Sequence, residues 1–381
     1  MARLEPTNEN QLVEAMQSAL ADRRRLQILG LGSNREIGHP VEADDELVTT
    51  GLSGILSYDP AELVLTAGAG TRLSEVEAAL AEARQHFAFE PFRPAALFGA
   101  EDQTLGGMLA AGLAGPRRLQ AGSVRDHVLG FAGVSGRGER FKAGGKVVKN
   151  VTGFDLSKIM AGSWGTLAVV SEVSFKVVPV PETEATVAVS GLSDAEAAAF
   201  LARAAGAPAE ISGAAIADGR ALVRLEGIAD SVDYRAFVVK DLAGGSIEVL
   251  DRDASRAAWA GLRDAAGFAE KTGTVWRVSC IPSEGPKLVE ALRSEVELEA
   301  VYDWQGGLIW LRFADEDPQA VRLRARLVEL GGGHATLIRA PEDVRMANHC
   351  FQPQVPAVAA LSARIREAFD PMGLMNPGRM G

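Results

Sequence analysis

Glycine-rich loops are the parts of this sequence whose residue types and spacing could do chemistry. Gly162-Ser163-Trp164-Gly165-Thr166 lies between a short helical pattern at 155–161 and a β-rich run at 167–178. Glycines at such a junction allow positive φ and let backbone N–H groups come close to a ligand. A loop of this kind can hold a pyrophosphate or a planar heterocycle against the main chain.

Two further stretches have the same character. Gly30-Leu31-Gly32-Ser33-Asn34 follows a strand-like run at 26–29, and such a loop presents consecutive N–H groups to phosphate oxygens. The glycine-rich region 91–125 contains Thr104-Leu105-Gly106-Gly107, and its apolar residues argue against a flexible linker. We interpret it as backbone packed closely against a flat or anionic group. Each loop taken alone is also compatible with an ordinary turn.

Gly68-Ala69-Gly70 has the surroundings of a dinucleotide-binding motif, because a strand precedes it and a predicted helix follows. The helix is predicted to open with the capping box Ser74-x-x-Glu77. Leu73 stands where a third glycine would be needed, and a helix that starts at Ser74 begins too late to point at a pyrophosphate. The details therefore disfavour a nicotinamide site here.

Side chains for acid–base, nucleophilic or metal chemistry are scattered. The histidines occupy positions 39, 86, 127, 334 and 349, and neither Cys280 nor Cys350 has metal-ligand spacing. Glu342 and Asp343 lie between the last two histidines, but this group offers no convincing general base. We leave the catalytic residues unassigned and predict no metal site.

Charge and hydropathy exclude several classes of protein. The net charge of −11 disfavours nucleic acid as a partner. The absence of an eighteen-residue apolar run or a signal-peptide pattern predicts a cytoplasmic protein with no transmembrane segment. Residues 117–158 carry nine Lys or Arg against three acidic residues, a local charge of +6. This segment is either a surface that handles anions or a solvated basic face.

The length of 381 residues predicts two domains, with a boundary near Pro179 and Pro181. From 185 to 340 the pattern β-α-β-β-α-β occurs twice, with hairpin glycines matching at 219 and 306. Two such ferredoxin-like units side by side could form one broad antiparallel sheet with helices on one face. The tail returns to the first domain through a helix at 355–369 and an Asn376-Pro377-Gly378 turn.

Several motifs together resemble the vanillyl-alcohol oxidase/p-cresol methylhydroxylase flavoprotein superfamily. Its K-N-x-x-G-Y-D-L…G-S-x-G-T-L-G pattern is similar to Lys149-Asn150, Gly153-Phe154-Asp155-Leu156 and Gly162–Leu167 here. Phe154 and Ala168 depart from the pattern. With Gly-Pro-Arg-Arg at 115–118 and Ser-Val-Arg-Asp-His-Val-Leu-Gly at 123–130, the sequence resembles in particular the FAD-binding subunits of bacterial glycolate oxidase.

The resemblance implies an α+β protein with an FAD-binding domain at 1–181, completed by 345–381, and a cap domain at 182–344. Members of the superfamily that bind FAD covalently often carry a histidine in the loop that corresponds to 30–34. This chain has no histidine there, so the FAD is expected to be non-covalent. The implied cofactor-binding residues are Gly30, Gly32, Ser33, Asn34, Thr104, Leu105, Gly106, Gly107, Ser123, Arg125, Asp126, Lys149, Asn150, Gly162, Gly165, Thr166, Leu167 and Asn376.

The resemblance also implies a redox subunit of a glycolate dehydrogenase complex, beside a catalytic FAD subunit and an iron–sulfur subunit. Peripheral attachment to the inner face of the cytoplasmic membrane through these partners stays open. The substrate would be a small carboxylate, clamped by the basic segment or by Arg277, Arg312 or Arg339 of the cap. Two alternatives remain: a stand-alone FAD oxidoreductase acting on a hydroxy acid or sugar lactone, and a non-catalytic assembly subunit with structural FAD.

Overall fold

A computed structural model describes residues 1–145 and 155–381. These residues form two compact units, each with its own core. Unit 1 comprises 1–113, 122–179 and 353–381, and unit 2 comprises 114–121 and 180–352. Residues 114–121 lie inside the predicted first domain but pack within unit 2. The predicted domain limits themselves stay predictions.

The helices and strands are numbered in chain order. The strands are β1 Arg3–Leu4, β2 Leu26–Leu29, β3 Asp45–Val48, β4 Ile55–Asp59, β5 Val64–Gly68, β6 Gln85–His86, β7 Val128–Val134, β8 Arg140–Gly144, β9 Val169–Lys176, β10 Val178–Pro179, β11 Thr183–Ser190, β12 Gly213–Ala217, β13 Arg220–Gly227, β14 Ser246–Leu250, β15 Thr274–Cys280, β16 Leu298–Asp303, β17 Leu308–Phe313 and β18 Gly333–Arg339. The helices are α1 Glu9–Asp22, α2 Leu73–Glu82, α3 Ala95–Phe98, α4 Leu105–Ala111, α5 Arg118–Ala121, α6 Val124–His127, α7 Ser157–Met160, α8 Asp194–Gly206, α9 Ala229–Asp241, α10 Arg252–Arg263, α11 Gly285–Arg293, α12 Ala320–Glu329, α13 Glu342–Ala347 and α14 Pro356–Phe369.

Unit 1 is built on small sheets. One has the order β1-β3-β2 with parallel pairs, and another has the order β4-β5-β9-β7-β8 with antiparallel pairs. Helix α1 begins where the Asn8 side chain accepts a hydrogen bond from the Gln11 N–H, and it buries Leu12 and Met16, one turn apart, in one core with Leu26 of β2. This packing fixes β2, the strand that leads into the loop at 30–34.

Unit 2 is one antiparallel sheet with the order β14-β11-β13-β12-β16-β17-β15-β18. Each half has the ferredoxin-like order, and the halves join through Ile216 of β12 and Tyr302 of β16. The predicted α+β fold with two β-α-β-β-α-β units is therefore confirmed. Helix α10 was not predicted, and its Trp259 packs on Ala188, Ala215 and Leu222, the face of the sheet opposite the main core. The expectation of helices on one face is wrong for this half.

Two local predictions need correction. Helix α2 begins at Leu73 without a side-chain cap, because the Leu73 N–H bonds the Gln103 carbonyl and the Ser74 hydroxyl donates to Asp102 instead. Helix α14 has the predicted position, but none of its residues is fully buried. No helix of the described residues is long and apolar enough to cross a membrane.

Candidate cofactor site

A cleft in unit 1 brings the glycine loops together. The cleft is partly open to solvent, and its empty volume, counted with the open part, is about 810 Å³. Its walls come from β2 and the loop after it, from α4, from the loop at 163–165 and from the C-terminal tail. The lining residues are Gln27, Ile28, Leu29, Gly30, Leu31, Gly32, Ser33, Asn34, Arg35, Thr49, Thr104, Gly106, Gly107, Leu109, Ala110, Ala111, Met160, Ser163, Trp164, Gly165, Ala168, Val170, Asn376 and Arg379.

The loop at 30–34 offers unused hydrogen-bond donors. It leaves the end of β2, and Gly32 has φ +76°, a conformation that favours glycine. Within residues 1–145 and 155–381, no hydrogen bond uses the backbone N–H groups of residues 31–34. The Asn34 side-chain Oδ1 is also buried without a hydrogen-bond partner there. A loop with spare donors and an unmet acceptor is suited to an anionic, polar ligand.

The second wall is the first turn of α4. Thr104 caps the helix by accepting a hydrogen bond from the Gly107 N–H, with a distance of 3.1 Å between Oγ1 and N. A Cβ on Gly30 would overlap the Thr104 hydroxyl, and a Cβ on Gly106 would lie 3.0 Å from Ala69. These glycines therefore let β2, α4 and the turn at Ala69 approach closely.

The third wall is the loop at 162–165, which is hydrogen-bonded to α4. The Gly162 N–H donates to the Leu109 carbonyl at 3.2 Å and the Trp164 N–H to the Ala110 carbonyl at 3.0 Å. Trp164 and Gly165 have φ +52° and +71°. A Cβ on Gly165 would lie 2.6 Å from the Asn376 side-chain nitrogen, so both the backbone conformation and the space require glycine.

The C-terminal tail joins these walls. The Asn376 side chain accepts from the Ile28 N–H and donates to the Trp164 carbonyl, both at 2.8 Å. The Arg379 guanidinium donates to the Arg35 carbonyl at 2.8 Å and to the Asn34 carbonyl, and it lies over the Trp164 ring, 5.8 Å from the ring centroid. One segment thus fixes the loop at 30–34 against the loop at 162–165.

The electrostatics of the cleft favour an anion. Arg35 and Arg379 are its charged lining residues, and no Asp or Glu is among the described residues that line it. Arg35 also contacts Glu46, with 3.1 Å between Nη2 and Oε1. The remaining lining is apolar or small, which suits a planar group beside a charged one.

The structure brings nine of the eighteen predicted cofactor residues to this cleft, seven are not in its lining, and two fall outside the described residues. Gly30, Gly32, Ser33, Asn34, Thr104, Gly106, Gly107, Gly165 and Asn376 line it. Leu105 and Leu167 lie in the core behind it, Gly162 bonds α4, and the Thr166 hydroxyl donates to the Ser163 carbonyl. Ser123 and Asp126 form a capping box on α6 and, like Arg125, are not among its described lining residues. Lys149 and Asn150 lie outside the described residues.

Sequence reasoning missed several lining residues. Trp164 and Arg379 lie within or directly after motifs that had been noticed, the Gly162–Thr166 loop and the Asn-Pro-Gly turn, so their positions carried a signal. Gln27 and Thr49 carried none, since nothing in their neighbouring sequence sets them apart. Which of the lining residues contact a cofactor stays a prediction.

Comparison with known proteins finds an FAD-binding family and subunits of glycolate oxidase. A family described as FAD binding domain matches residues 2–144. The glycolate oxidase subunit GlcE of Escherichia coli (strain K12) is 37% identical over 97% of this chain and 96% of that protein. The glycolate oxidase subunit GlcD of Bacillus subtilis (strain 168) is 42% identical, over 22% of this chain and 18% of that protein.

Among solved structures, an alkyldihydroxyacetonephosphate synthase matches with a TM-score of 0.67 and covers 98% of this chain and 75% of that one. At 16% identity this likeness concerns the fold alone.

Proposed function

This chain belongs to the family of the glycolate oxidase subunit GlcE, and from that premise we propose that it is the FAD-binding redox subunit of a glycolate dehydrogenase complex. The complex would oxidise glycolate to glyoxylate and pass the electrons to an iron–sulfur partner. The observation that carries the proposal is that the similarity extends over 97% of this chain and 96% of that protein.

FAD is the cofactor of this family domain, and the residues of the cleft fit it. The N–H groups of residues 31–34, which donate to no group of the described residues, and the charges of Arg35 and Arg379 would hold the pyrophosphate. The Asn34 Oδ1 would accept a hydrogen bond from an N–H or O–H group of the cofactor, which removes the unmet buried acceptor. Gly106 and Gly107 leave room for the cofactor to approach the backbone of α4.

We propose that the FAD is held non-covalently. Covalent attachment needs a nucleophilic side chain that faces the cofactor, and the described lining residues include no His, Cys or Tyr. When bound, FAD supplies the two-electron acceptor that oxidation of an alcohol requires. The protein's share is to bind it, orient it and surround it with apolar side chains such as Leu109 and Val170.

The general base remains unassigned. His334 and His349 are both exposed, and no group of three or more His, Cys, Asp or Glu among the described residues could hold a metal ion. An FAD-binding subunit without an evident general base is compatible with a reaction whose catalytic groups are divided among several subunits. We therefore propose that turnover of glycolate requires the assembled complex, in which GlcD-like and iron–sulfur chains supply the missing groups.

The test has two stages. The purified chain should carry one FAD that acid precipitation releases into the supernatant, and dithionite should bleach its visible spectrum. A colourless chain that cannot be reconstituted with FAD would refute the cofactor assignment. In the second stage, dye reduction by glycolate is compared between the reconstituted chain alone and the assembled complex. Equal rates would make a stand-alone oxidoreductase the better account.

A further inference from the structure

The segment 114–118 of unit 2 is held by side chains of the sheet. The Trp304 indole Nε1–H donates to the Gly115 carbonyl at 3.1 Å, and the Arg277 Nη2 donates to the Ala114 carbonyl at 3.2 Å. Arg117 forms a buried ion pair with Glu226 of β13, with 2.8 Å between Nε and Oε2. These bonds fix the Gly-Pro-Arg-Arg motif, which the proposed cofactor site does not use.

Arg277 is an unusual residue in this unit. It lies on β15 opposite Trp310, and its guanidinium carbon is 4.9 Å from the Trp304 ring centroid and 5.8 Å from that of Trp310. Its Nε is buried without a hydrogen-bond partner, and no carboxylate of the described residues forms an ion pair with it. Burial, together with the charge of Arg118, lowers the pKa of Arg277 to about 10. Buried charges in proteins are normally paired. The charge of Asp303 acts on Arg277, but no direct ion pair forms with it among the described residues.

Arg118 converges on the same indole. Its guanidinium carbon also lies 4.9 Å from the Trp304 ring centroid, and within the described residues it forms no ion pair or hydrogen bond through its side chain. Asp303 is the acidic neighbour, but it is buried and accepts a hydrogen bond from the Trp304 N–H at 2.7 Å. Two guanidiniums against one occupied carboxylate leave a net positive charge around Trp304.

The two other arginines considered as clamps are already used. Arg312 bonds Glu299 and the Thr272 carbonyl, with 2.7 Å to the latter. Arg339 donates to the Phe268 carbonyl at 2.9 Å and to the Lys271 carbonyl at 2.5 Å. Arg277 makes one side-chain hydrogen bond, to the Ala114 carbonyl, so it keeps more donors for a ligand than Arg312 or Arg339, which make two each among the described residues.

We propose that Arg118, Arg277 and Trp304 form a carboxylate-binding site in unit 2. Guanidiniums bind carboxylates through paired N–H groups. The Trp304 indole holds the Arg118 and Arg277 guanidiniums in place by cation–π contact. The ligand class is a small 2-hydroxy carboxylate, and its identity as glycolate rests on the proposed function. The same chemistry would also receive a carboxylate side chain of a partner subunit.

Calorimetric titration of the full FAD-loaded chain tests the site. Glycolate should bind, and glycolamide, which has the same shape without the charge, should not. Arg118→Gln and Arg277→Gln should each weaken glycolate binding about tenfold or more, since hydrogen bonds to charged groups are strong. Arg293→Gln is the matched control, because that arginine pairs with Asp194 elsewhere in unit 2. Arg118 is exposed, so its variant keeps the test valid if the Arg277 variant does not fold.

Binding heat needs no turnover, so a chain that binds glycolate through these arginines but never oxidises it would refute the proposed function and not the site. If the chain binds no free glycolate, the ligand could instead be a carboxylate side chain of a partner subunit. Co-purification of the two variants with co-expressed GlcD-like and iron–sulfur chains tests this possibility. Loss of assembly in both variants, with the Arg293 control intact, assigns the site to a partner's carboxylate. Unchanged binding and unchanged assembly in both variants overturn the proposal.

Discussion

The cleft of unit 1 and the arginine cluster of unit 2 are both suited to anions, and they are built in opposite ways. In the cleft, the donors are backbone N–H groups of residues 31–34, and glycines keep the space clear. In unit 2, the donors are the guanidiniums of Arg118 and Arg277 at the ends of long side chains, and both lie against the Trp304 ring. A backbone site is damaged by adding atoms, whereas a side-chain site is damaged by removing them.

The largest effect is expected for an added side chain in the cleft. Gly165→Val should abolish measurable FAD binding, a loss of ~100-fold or more, because valine resists positive φ and its Cβ would meet Asn376. FAD affinity can be measured by flavin fluorescence titration. Gly244→Ala, in unit 2, is the control, since its position is open and its φ is ordinary. Full FAD affinity in the Gly165 variant would remove this loop from the site.

The next effect concerns a removed charge in unit 2. Burial alone would raise the pKa of Glu226, but the hydrogen bond from Arg117 and the charges of Arg224 and Arg117 hold it at about 2. A lowered pKa stabilises the fold above the ordinary value of 4.5, and that stability is lost as the pH falls from 4.5 towards 2. Glu226→Gln should therefore cost roughly 3 kcal/mol at pH 7 and flatten this acid dependence.

The free energy of unfolding can be measured by urea unfolding followed by tryptophan fluorescence. The signal reports mainly on unit 2, which contains Trp259, Trp276, Trp304 and Trp310. Glu248→Gln is the matched control: its carboxylate is 64% exposed and pairs with Arg220 on the surface, so little change is expected. Equal unfolding free energies for the two variants would contradict the importance of the buried pair.

A smaller effect is expected where a side chain supports the backbone site. Asn376→Ala removes the bonds to Ile28 and Trp164 and should lower the free energy of FAD binding by about 1–2 kcal/mol. Asn376→Asp keeps the acceptor for Ile28 and loses the donor to Trp164. Its FAD affinity should therefore lie between those of the parent protein and of Asn376→Ala. If both variants bind FAD like the parent, the tail is dispensable for the cleft.

This difference also explains what could be predicted from the sequence. Backbone sites depend on glycine, and Gly30, Gly106 and Gly165 stand out in a sequence by their type and spacing. The repeat in unit 2 was equally visible, because alternating strands and matched hairpin glycines are local patterns. The cleft and the sheet were accordingly predicted in outline.

Side-chain sites depend on contacts that the fold creates. Arg118 belongs to the Gly-Pro-Arg-Arg motif and Arg277 was one of three candidate clamps, but nothing in the sequence shows that Trp304 joins them. That contact depends on sheet pairing and on the packing of residues 114–121. The structural role of Asn376 was not predicted: its amide bonds two backbone segments. Its contact with the cofactor, which the family resemblance implied, stays a prediction. Helix α10 was missed because its apolar face is narrow, with Trp259 and Leu262 among charged residues.

The tail that closes the cleft also sets an order of events during synthesis. The bond from Arg379 to Asn34 spans 345 residues, so the loop at 30–34 leaves the ribosome long before the residue that holds it. Residues 180–352 of unit 2 are all translated before residues 370–379 and can fold while unit 1 is still incomplete. We therefore expect FAD to load late, and a chain that stalls before residue 370 would expose a cofactor loop that lacks its bonds to the tail.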